Sequence, residues 1–188
     1  MSDGALLDDF EPFPKLSRLS RKIVITEKLD GTNAQVIVTD DGRVLAGSRT
    51  RLITPGDDNF GFARWVEDHK DELAKALGFG RHFGEWWGAG IQRRYDQKEK
   101  RFSLFNTTRW NAALVELPPF LSVVPVLYEG MFDTRVVDET LRALEVGGSV
   151  AAPGFMKPEG VVVFHEASHT LFKKTIGDDG HKGAQAGA

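Results

Sequence analysis

Cysteine is absent from this 188-residue chain, which excludes disulfide bonds, thiolate catalysis and zinc sites with cysteine ligands. Long apolar runs are absent too. None approaches the roughly 20 residues needed to span a bilayer, so we expect no membrane insertion. The acidic start, residues 1–11, lacks the basic and apolar regions of a signal peptide. The default expectation is therefore a cytoplasmic protein.

The chain also lacks a strong excess of charge of either sign. It contains 24 basic and 27 acidic residues, for a net charge of -3. Strong nonspecific binding of nucleic acid by the whole surface is not expected, although a locally basic groove could bind it. The length predicts one domain over residues 1–176, with residues 1–14 as an N-terminal arm, residues 177–188 as a flexible tail and no sizeable second domain. We expect a monomer.

Several polar groups follow the first apolar run, residues 22–25. The segment Thr26-Glu27-Lys28-Leu29-Asp30-Gly31-Thr32-Asn33 holds an amine, carboxylates, a glycine and a carboxamide. A lysine becomes a nucleophile when it loses a proton, whereas the carboxylate of Asp30 favours the charged amine. A bound metal or other cations would have to oppose Asp30 if Lys28 is the nucleophile. Taken alone, Lys-x-Asp-Gly is more often a surface ion pair before a glycine turn.

A β-hairpin is predicted directly after this segment. Residues 34–39 and 43–48 have strand patterns, and the turn sequence Asp40-Asp41-Gly42 lies between them. A hairpin of this length returns Arg49 to the vicinity of Lys28. The alternative is that Arg49 faces solvent, as arginines at strand ends usually do.

Residues 60–77 carry apolar side chains at helical spacing, which predicts one amphipathic helix ended by Gly78. His69 lies on the apolar face of this helix. We interpret it as a hydrogen-bonded core histidine rather than a metal ligand.

Glu85 lies within a strand-like run, residues 81–88, and is flanked by bulky aromatic residues. A carboxylate in such surroundings is costly unless it has a partner. The alternative is a glutamate on an edge strand, facing water. A further strand is predicted at residues 101–106, where alternation places Phe102 and Phe105 on opposite faces. At most one of these two rings should therefore meet a ligand.

Two segments are locally basic. Residues 15–22 precede the first strand, and residues 91–101 form a polar loop. Either could contact the backbone of a nucleic acid. The alternatives are a solvated basic surface for the first segment and a flexible charged loop for the second.

The remaining patterns predict a strand at residues 121–128 despite Pro125 and a helix at residues 133–146 with Asp133 as its N-cap. Residues 158–164 and 170–175 are predicted to pair as the last two antiparallel strands.

The sequence His165-Glu166-Ala167-Ser168-His169 lies between these last strands and matches the His-Glu-x-x-His pattern of zinc hydrolases. That chemistry requires a helix, which places both imidazoles on one face. Two strand-like runs flank the segment and predict a hairpin turn, so a zinc hydrolase is disfavoured.

Taken together, six segments in order resemble motifs I, Ia, III, IIIa, IV and V of the covalent nucleotidyltransferases. The similarity is closest to the ATP-dependent RNA ligases. It implies an α+β nucleotidyltransferase (adenylyltransferase) domain with antiparallel sheets flanking a nucleotide-binding cleft. Periodicity alone supports only a mixed α+β fold.

The resemblance also implies roles for individual residues. Lys28 corresponds to the nucleophile, Glu159 to a metal-binding glutamate, Glu85 to the ribose-binding glutamate, and Phe102, in preference to Phe105, to the aromatic residue that stacks on the base. The implied nucleotide-binding residues are Glu27, Asp30, Gly31, Asn33, Arg49, Glu85, Phe102, Lys173 and Lys174. In one departure from the family pattern, Lys173 and Lys174 are adjacent, and Thr175 occupies the place of the second lysine.

The implied reaction starts with attack of Lys28 on the α-phosphate of ATP, which yields lysyl-AMP with the help of a divalent metal, Mg²⁺ or Mn²⁺. AMP then passes to an RNA 5'-phosphate, and a 3'-hydroxyl displaces it. The alternatives are a DNA ligase, a GTP-dependent capping-type guanylyltransferase and a non-catalytic module that binds nucleotide or RNA.

Overall fold

The computed structural model describes residues 10–111 and 115–177, which form two mostly antiparallel sheets and three helices. The elements in chain order are β1 (Lys22–Lys28), β2 (Thr32–Val38), β3 (Val44–Ser48), β4 (Leu52–Ile53), α1 (Phe62–Asp68), α2 (Lys70–Leu77), β5 (Gly80–Gly88), β6 (Lys100–Leu104), β7 (Leu121–Val123), β8 (Val126–Met131), α3 (Thr134–Gly147), β9 (Gly160–His165) and β10 (Thr170–Thr175).

The first sheet has four strands in the order β10-β9-β1-β8, and every neighbouring pair is antiparallel. The predicted pairing of the last two strands is confirmed. Alternate residues of β1, including Ile23 and Ile25, are fully buried in a cluster that contains Leu144 of α3. The amphipathic helix α3 therefore covers one face of this sheet and leaves the other face free for polar side chains.

The second sheet has six strands in the order β4-β3-β2-β5-β6-β7, with only β6 and β7 parallel. The predicted hairpin of β2 and β3 is confirmed. Helices α1 and α2 cover one face through buried residues such as Phe62 and Leu73, which share a cluster with Val36, Trp86 and Phe102. The opposite face carries Asn33 and Glu85.

The chain passes from one sheet to the other at two points. Leu29 lies between β1 and β2, and Val124 lies between β7 and β8. Both are buried in a separate cluster with Trp87, Tyr95 and Phe155. This cluster fixes the two sheets relative to each other beside the polar segment that follows β1.

Two predicted elements are divided in the structure. The expected helix over residues 60–77 is two short helices, because the backbone of His69 leaves the helical region and ends α1. Its imidazole is half-buried and bonded to the carbonyl of Trp65, as expected for a histidine with a structural role. The expected strand over residues 121–128 is β7 and β8, which belong to different sheets. Pro125 lies between them and cannot donate to a ladder.

Other boundaries agree with the sequence patterns. Asp133 caps α3 by accepting a hydrogen bond from the backbone N–H of Arg135 at 2.8 Å, and Gly148 ends the helix. In the described part of the chain, no helix is long and apolar enough to cross a membrane. Most of the predicted arm (1–9) and of the tail (178–188) lies outside the described residues.

The His-Glu-x-x-His segment forms the end of β9 and the following turn, not a helix. His165 is buried, its Nδ1 accepts a bond from the backbone N–H of Ser168, and its Nε2 contacts the carbonyl of Leu19 at 2.8 Å. Both ring nitrogens therefore have structural partners. The geometry agrees with the prediction that this segment is not a zinc site.

We predict that Gly31→Ala lowers stability, because a Cβ at Gly31 would lie 2.4 Å from the carbonyl oxygen of Trp86 and 2.8 Å from the Cβ of Trp87. Both neighbours belong to β5 and cannot move freely, so we expect a loss of about 2 kcal/mol. Gly56→Ala is the matched control, since its nearest neighbour is 4.0 Å away. Urea unfolding of both variants checks this, and equal unfolding midpoints would contradict it.

Candidate active site

Lys28 is the last residue of β1, and its Nζ donates a hydrogen bond of 2.7 Å to Oε2 of Glu159. Strand pairing explains this contact, because Lys28 lies opposite Gly160 in the β1–β9 register. Only glycine fits at 160, since a Cβ there would lie 2.2 Å from the carbonyl oxygen of Lys174. The side chains of Lys28 and Glu159 retain 24% and 17% exposure, so both can still meet a ligand.

The two adjacent lysines of β10 lie on opposite faces of the first sheet. Lys173 pairs with Val162, which pairs with Thr26, so alternation places Lys173 on the face of Lys28. Lys174 faces the other side, where its Nζ forms an ion pair with Asp138 of α3. The expectation that Lys174 binds nucleotide therefore disagrees with the structure. Thr175 pairs with Gly160, opposite Lys28, and shares the face of Lys28 and Lys173.

Glu85 lies in β5, between β2 and β6, and is 6% exposed. Its Oε1 accepts a hydrogen bond from the backbone N–H of Gly31 at 3.0 Å, and its Oε2 accepts one from Nδ2 of Asn33 at 3.2 Å. Burial raises the pKa of Glu85 to about 7, although the charge of Lys28 opposes this shift. Glu85 is thus a buried carboxylate with partners, and the alternative of a water-facing edge position is excluded.

Asp30 is bound through both its side chain and its backbone. Its Oδ2 accepts a hydrogen bond from Nε of Arg93 at 2.9 Å, and its N–H donates to the hydroxyl of Tyr95 at 2.8 Å. Burial raises the pKa of the Tyr95 hydroxyl, so this group stays protonated. Arg93 belongs to the loop that was expected to contact nucleic acid or to be flexible. In the structure its side chain contacts the protein instead.

Glu27 was expected to bind nucleotide, but its side chain lies on the opposite face of the first sheet from Lys28. It is 1% exposed and accepts hydrogen bonds from Ser149 Oγ at 2.6 Å and from the N–H groups of Val150 and Ala151, both at 2.9 Å. Alternation along β1 explains the result, because neighbouring residues of a strand face opposite sides. Glu27 therefore fixes the segment after α3.

Phe102 was expected to stack on a base. Its ring is fully buried against Phe62 and Trp65, on the helix-covered face of the second sheet. Phe102 pairs with Trp86, so it faces away from Glu85, and the expectation is wrong for this structure. Phe83 and Phe105 are 53% and 39% exposed, and the N–H of Phe105 donates to the carbonyl of Phe83. Phe83 shares the face of Glu85 by strand alternation.

Arg49 is exposed and follows the last residue of β3. The register places Ser48 opposite Ala34, so Arg49 lies beside the start of β2, next to Asn33. This agrees with the predicted return of Arg49 toward the polar segment.

A cavity of about 540 Å³ opens on the helix-covered side of the second sheet and is lined by Trp65, His69 and Phe120 among others. It contains none of the predicted site residues. The polar groups that could hold a nucleotide face the other side of this sheet.

The carboxylates beside Lys28 suit one particular mode of metal binding. In the described residues, no group of three or more His, Cys, Asp or Glu side chains is arranged to hold an ion by itself. Mg²⁺ and Mn²⁺ accept oxygen ligands, and Mg²⁺ is usually bound by one or two carboxylates with waters and substrate phosphates. Glu159 fits this mode, because its carboxylate is partly exposed.

The sequence analysis did not identify two residues that support the site. Tyr95 and Ser149 are both buried and hold the segments around Lys28, yet neither belongs to a recognisable motif. A signal for Tyr95 did exist, since Ile91 and Tyr95 are the large apolar side chains of an otherwise polar loop. Apolar residues in such a loop indicate that it packs against the protein.

Comparison with solved structures identifies the fold. A mutant of Naegleria gruberi RNA ligase with AMP and Mn superimposes with a TM-score of 0.60 and 19% identity, covering 84% of this chain and 50% of that chain. Another mutant of this ligase, with ATP and Mn, has a TM-score of 0.59 and 20% identity, and the match covers 83% of this chain and 50% of that chain. The same ligase with PPi has a TM-score of 0.55 and 20% identity, and the match covers 92% of this chain and 59% of that chain. The predicted α+β nucleotidyltransferase fold is confirmed, and the chain spans about half the length of these proteins.

The family follows from the sequence. The model of the RNA ligase family matches residues 21–175, which include all the predicted motifs. The chain therefore belongs to the RNA ligase family, and the resemblance seen in its motifs is confirmed.

We predict a pH-dependent difference in stability between the wild type and Glu85→Gln. The pKa of Glu85 is about 7 in the folded protein against an ordinary value of 4.5. The protonated carboxyl of Glu85 therefore makes its full contribution to the free energy of unfolding below pH 4.5. This contribution, about 3 kcal/mol, is lost as the pH rises through about 7. Glutamine does not titrate, so the variant should gain stability relative to the wild type as the pH rises.

Urea unfolding of both proteins between about pH 5 and pH 8 measures this difference. A difference in the free energy of unfolding that stays constant over this range would contradict the prediction.

We further predict that Glu27→Ala lowers the free energy of unfolding by about 3 kcal/mol or more, because three donors, including the buried hydroxyl of Ser149, lose their acceptor. The control is Glu129→Ala in the same sheet, whose side chain is 53% exposed and pairs with Lys22. That change should cost less than about 1 kcal/mol. Thermal unfolding of both variants checks this, and similar losses would refute the structural role of Glu27.

Proposed function

We propose that this chain is an ATP-dependent adenylyltransferase that joins RNA ends through a covalent lysyl-AMP intermediate. The observation that carries the proposal is the position of Lys28. Its amine lies at a strand end, 2.7 Å from Glu159, with Lys173 on the same face of the sheet. Glu85 and Asn33 follow on the adjoining strands of the second sheet. Family membership and the shared fold support this function.

In the first step, the Lys28 nitrogen attacks the α-phosphorus of ATP. The new bond is N–P, the bond between the α-phosphorus and the bridging oxygen breaks, and pyrophosphate leaves with the electron pair. The amine must first lose a proton, and Glu159 Oε2 lies close enough to accept it. Lys173 faces the site where charge develops on the phosphates and would stabilise it.

We assign the metal role to Glu159. A divalent cation bound with ATP would supply charge neutralisation on the phosphate oxygens. The carboxylate of Glu159 is partly exposed and would be one of the ligands of that cation.

Several residues would hold the nucleotide. Glu85 can accept a hydrogen bond from a ribose hydroxyl, since each of its oxygens has further acceptor capacity. Arg49 would contact the phosphates. For the base we propose Phe105 or Phe83 in place of Phe102, because an exposed ring on the face of Glu85 can stack on a base and a buried ring cannot.

The remaining steps use RNA with a 5'-phosphate and a 3'-hydroxyl. The 5'-phosphate oxygen attacks the phosphorus of lysyl-AMP, which restores the lysine. The 3'-hydroxyl then attacks the activated 5'-phosphorus, and AMP leaves. Two of the Naegleria structures that share this fold contain AMP and Mn or ATP and Mn, which supports ATP and a divalent metal as the small-molecule requirements here.

Incubation with ATP and Mn²⁺ followed by intact mass measurement tests the proposal. We expect the mass of one AMP to be added to the wild type and peptide mapping to locate it on Lys28. Lys28→Ala should remove this product completely, since no other amine lies at that position. Lys173→Ala should slow its formation by roughly 10-fold or more.

The matched control is Lys174→Ala, an adjacent lysine that faces α3 and pairs with Asp138. It should retain nearly the wild-type rate. AMP on another lysine, or equal losses in the two β10 variants, would contradict the assignment. Capture of GMP from GTP in preference to AMP would favour a capping-type enzyme.

A further inference from the structure

We propose that Arg93 is a positioning residue that holds the Asp30 end of the nucleophile segment against the segment carrying Glu159. This inference rests on the proposed function and adds to it a residue outside the six motifs. Arg93 Nε donates to Asp30 Oδ2 at 2.9 Å, and Nη1 donates to the carbonyls of Lys157 at 3.1 Å and Pro158 at 3.3 Å. One guanidinium thus bridges two segments that are separated widely in the chain.

These contacts surround the reacting pair. Asp30 is two residues after Lys28, and Pro158 immediately precedes Glu159. On one side of the ion pair, the backbone register of β1 and β9 fixes Lys28 opposite Gly160. On the other side, neither Asp30 nor the segment before Gly160 belongs to a strand. Arg93 supplies the connection that the sheet does not.

The loop that carries Arg93 is built to hold it there. Gln92, Arg94, Tyr95 and Asp96 all have positive φ angles, between 42° and 61°. Residues other than glycine seldom adopt this conformation, and it persists only where the surroundings impose it. The conformation buries Tyr95 completely.

Tyr95 supplies the second contact of the same loop. Its ring packs against Phe155 with a centroid distance of 4.7 Å and against Trp87 at 5.1 Å, while its hydroxyl accepts the bond from Asp30 N–H. The ring therefore touches the segment after α3, and the hydroxyl touches the segment after β1. Arg93 and Tyr95 join the same two parts of the chain.

The guanidinium fork is the chemical reason for an arginine at this position. Arg93 donates in two directions at fixed angles, to a carboxylate and to two backbone carbonyls, which a single lysine ammonium on a flexible stem does not reproduce. Its side chain is 39% exposed, so its replacement leaves the core intact. The expected effect is on the geometry of Lys28 and Glu159 rather than on folding.

Single-turnover formation of lysyl-AMP at varied ATP concentrations tests this inference. Arg93→Ala should lower the rate at saturating ATP by roughly 10- to 100-fold, because a small misplacement of reacting groups is costly. The ATP concentration at half-saturation should change by less than about 3-fold, since Arg93 contacts protein groups. Arg93→Lys should recover only part of the rate. Tyr95→Phe should lower it as well, because Asp30 N–H loses its acceptor.

The matched control is Arg94→Ala, which removes the same charge from the same loop. Arg94 is exposed, and within the described residues its side chain forms no hydrogen bond or ion pair. This variant should keep the wild-type rate. Equal effects of Arg93→Ala and Arg94→Ala would overturn the inference, as would full recovery with Arg93→Lys. An Arg93→Ala variant that changes only the ATP concentration at half-saturation, and not the rate at saturating ATP, would also overturn it.

A second measurement does not depend on activity. Hydrogen exchange of the free protein should accelerate at residues 155–160 in Arg93→Ala and not in Arg94→Ala, because only the first change releases this segment. Unchanged exchange in Arg93→Ala would refute the positioning role even if the rate falls. If the wild type forms no lysyl-AMP, the proposed function fails by itself, whereas normal wild-type activity with unaffected variants refutes only the role of Arg93.

Discussion

The pairing register between β1 and β9 determines where the side chain of Lys28 lies in this protein. It sets Lys28 opposite Gly160, and the same register continues to β10, where Thr175 also lies opposite Gly160. A slip of one residue would turn every side chain to the other face. Lys28 would then face α3, and Glu27 would face the open side. The buried acceptor role of Glu27 opposes such a slip, because its three donors lie only on the α3 side.

Much of this arrangement could be predicted from the sequence, and the reasons are local. The hairpins, the α3 cap at Asp133 and the order of the motifs depend on short-range patterns that survive in any context. The resemblance of six ordered segments predicted the fold, which is confirmed, and the nucleophile role of Lys28, which stays a prediction. Period-two alternation also separated Phe102 from Phe105, although it could not say which ring enters the core. That choice depends on which face α1 and α2 cover, and this is a property of the assembled fold.

The errors share a physical origin. A motif gives the neighbours of a residue along the chain but not the direction of its side chain. Glu27 precedes Lys28 and Lys174 follows Lys173, yet both face α3 because the side chains of adjacent strand residues point to opposite faces. The division of the strand at residues 121–128 is of the same kind. Pro125 could be read from the sequence, but the crossing of the chain from one sheet to the other depends on how the two sheets assemble.

The charged groups near Lys28 differ in their partners and in their burial. Three carboxylates lie in this region: Asp30 is two residues after Lys28, Glu159 contacts its amine, and Glu85 is influenced by its charge. Arg93 forms an ion pair with Asp30. Burial raises the pKa of Glu85 to about 7, so Glu85 carries only part of a charge at neutral pH. Glu159 remains as the direct partner of the amine. Its side chain is 17% exposed, so it also remains accessible to a ligand such as the cation proposed above.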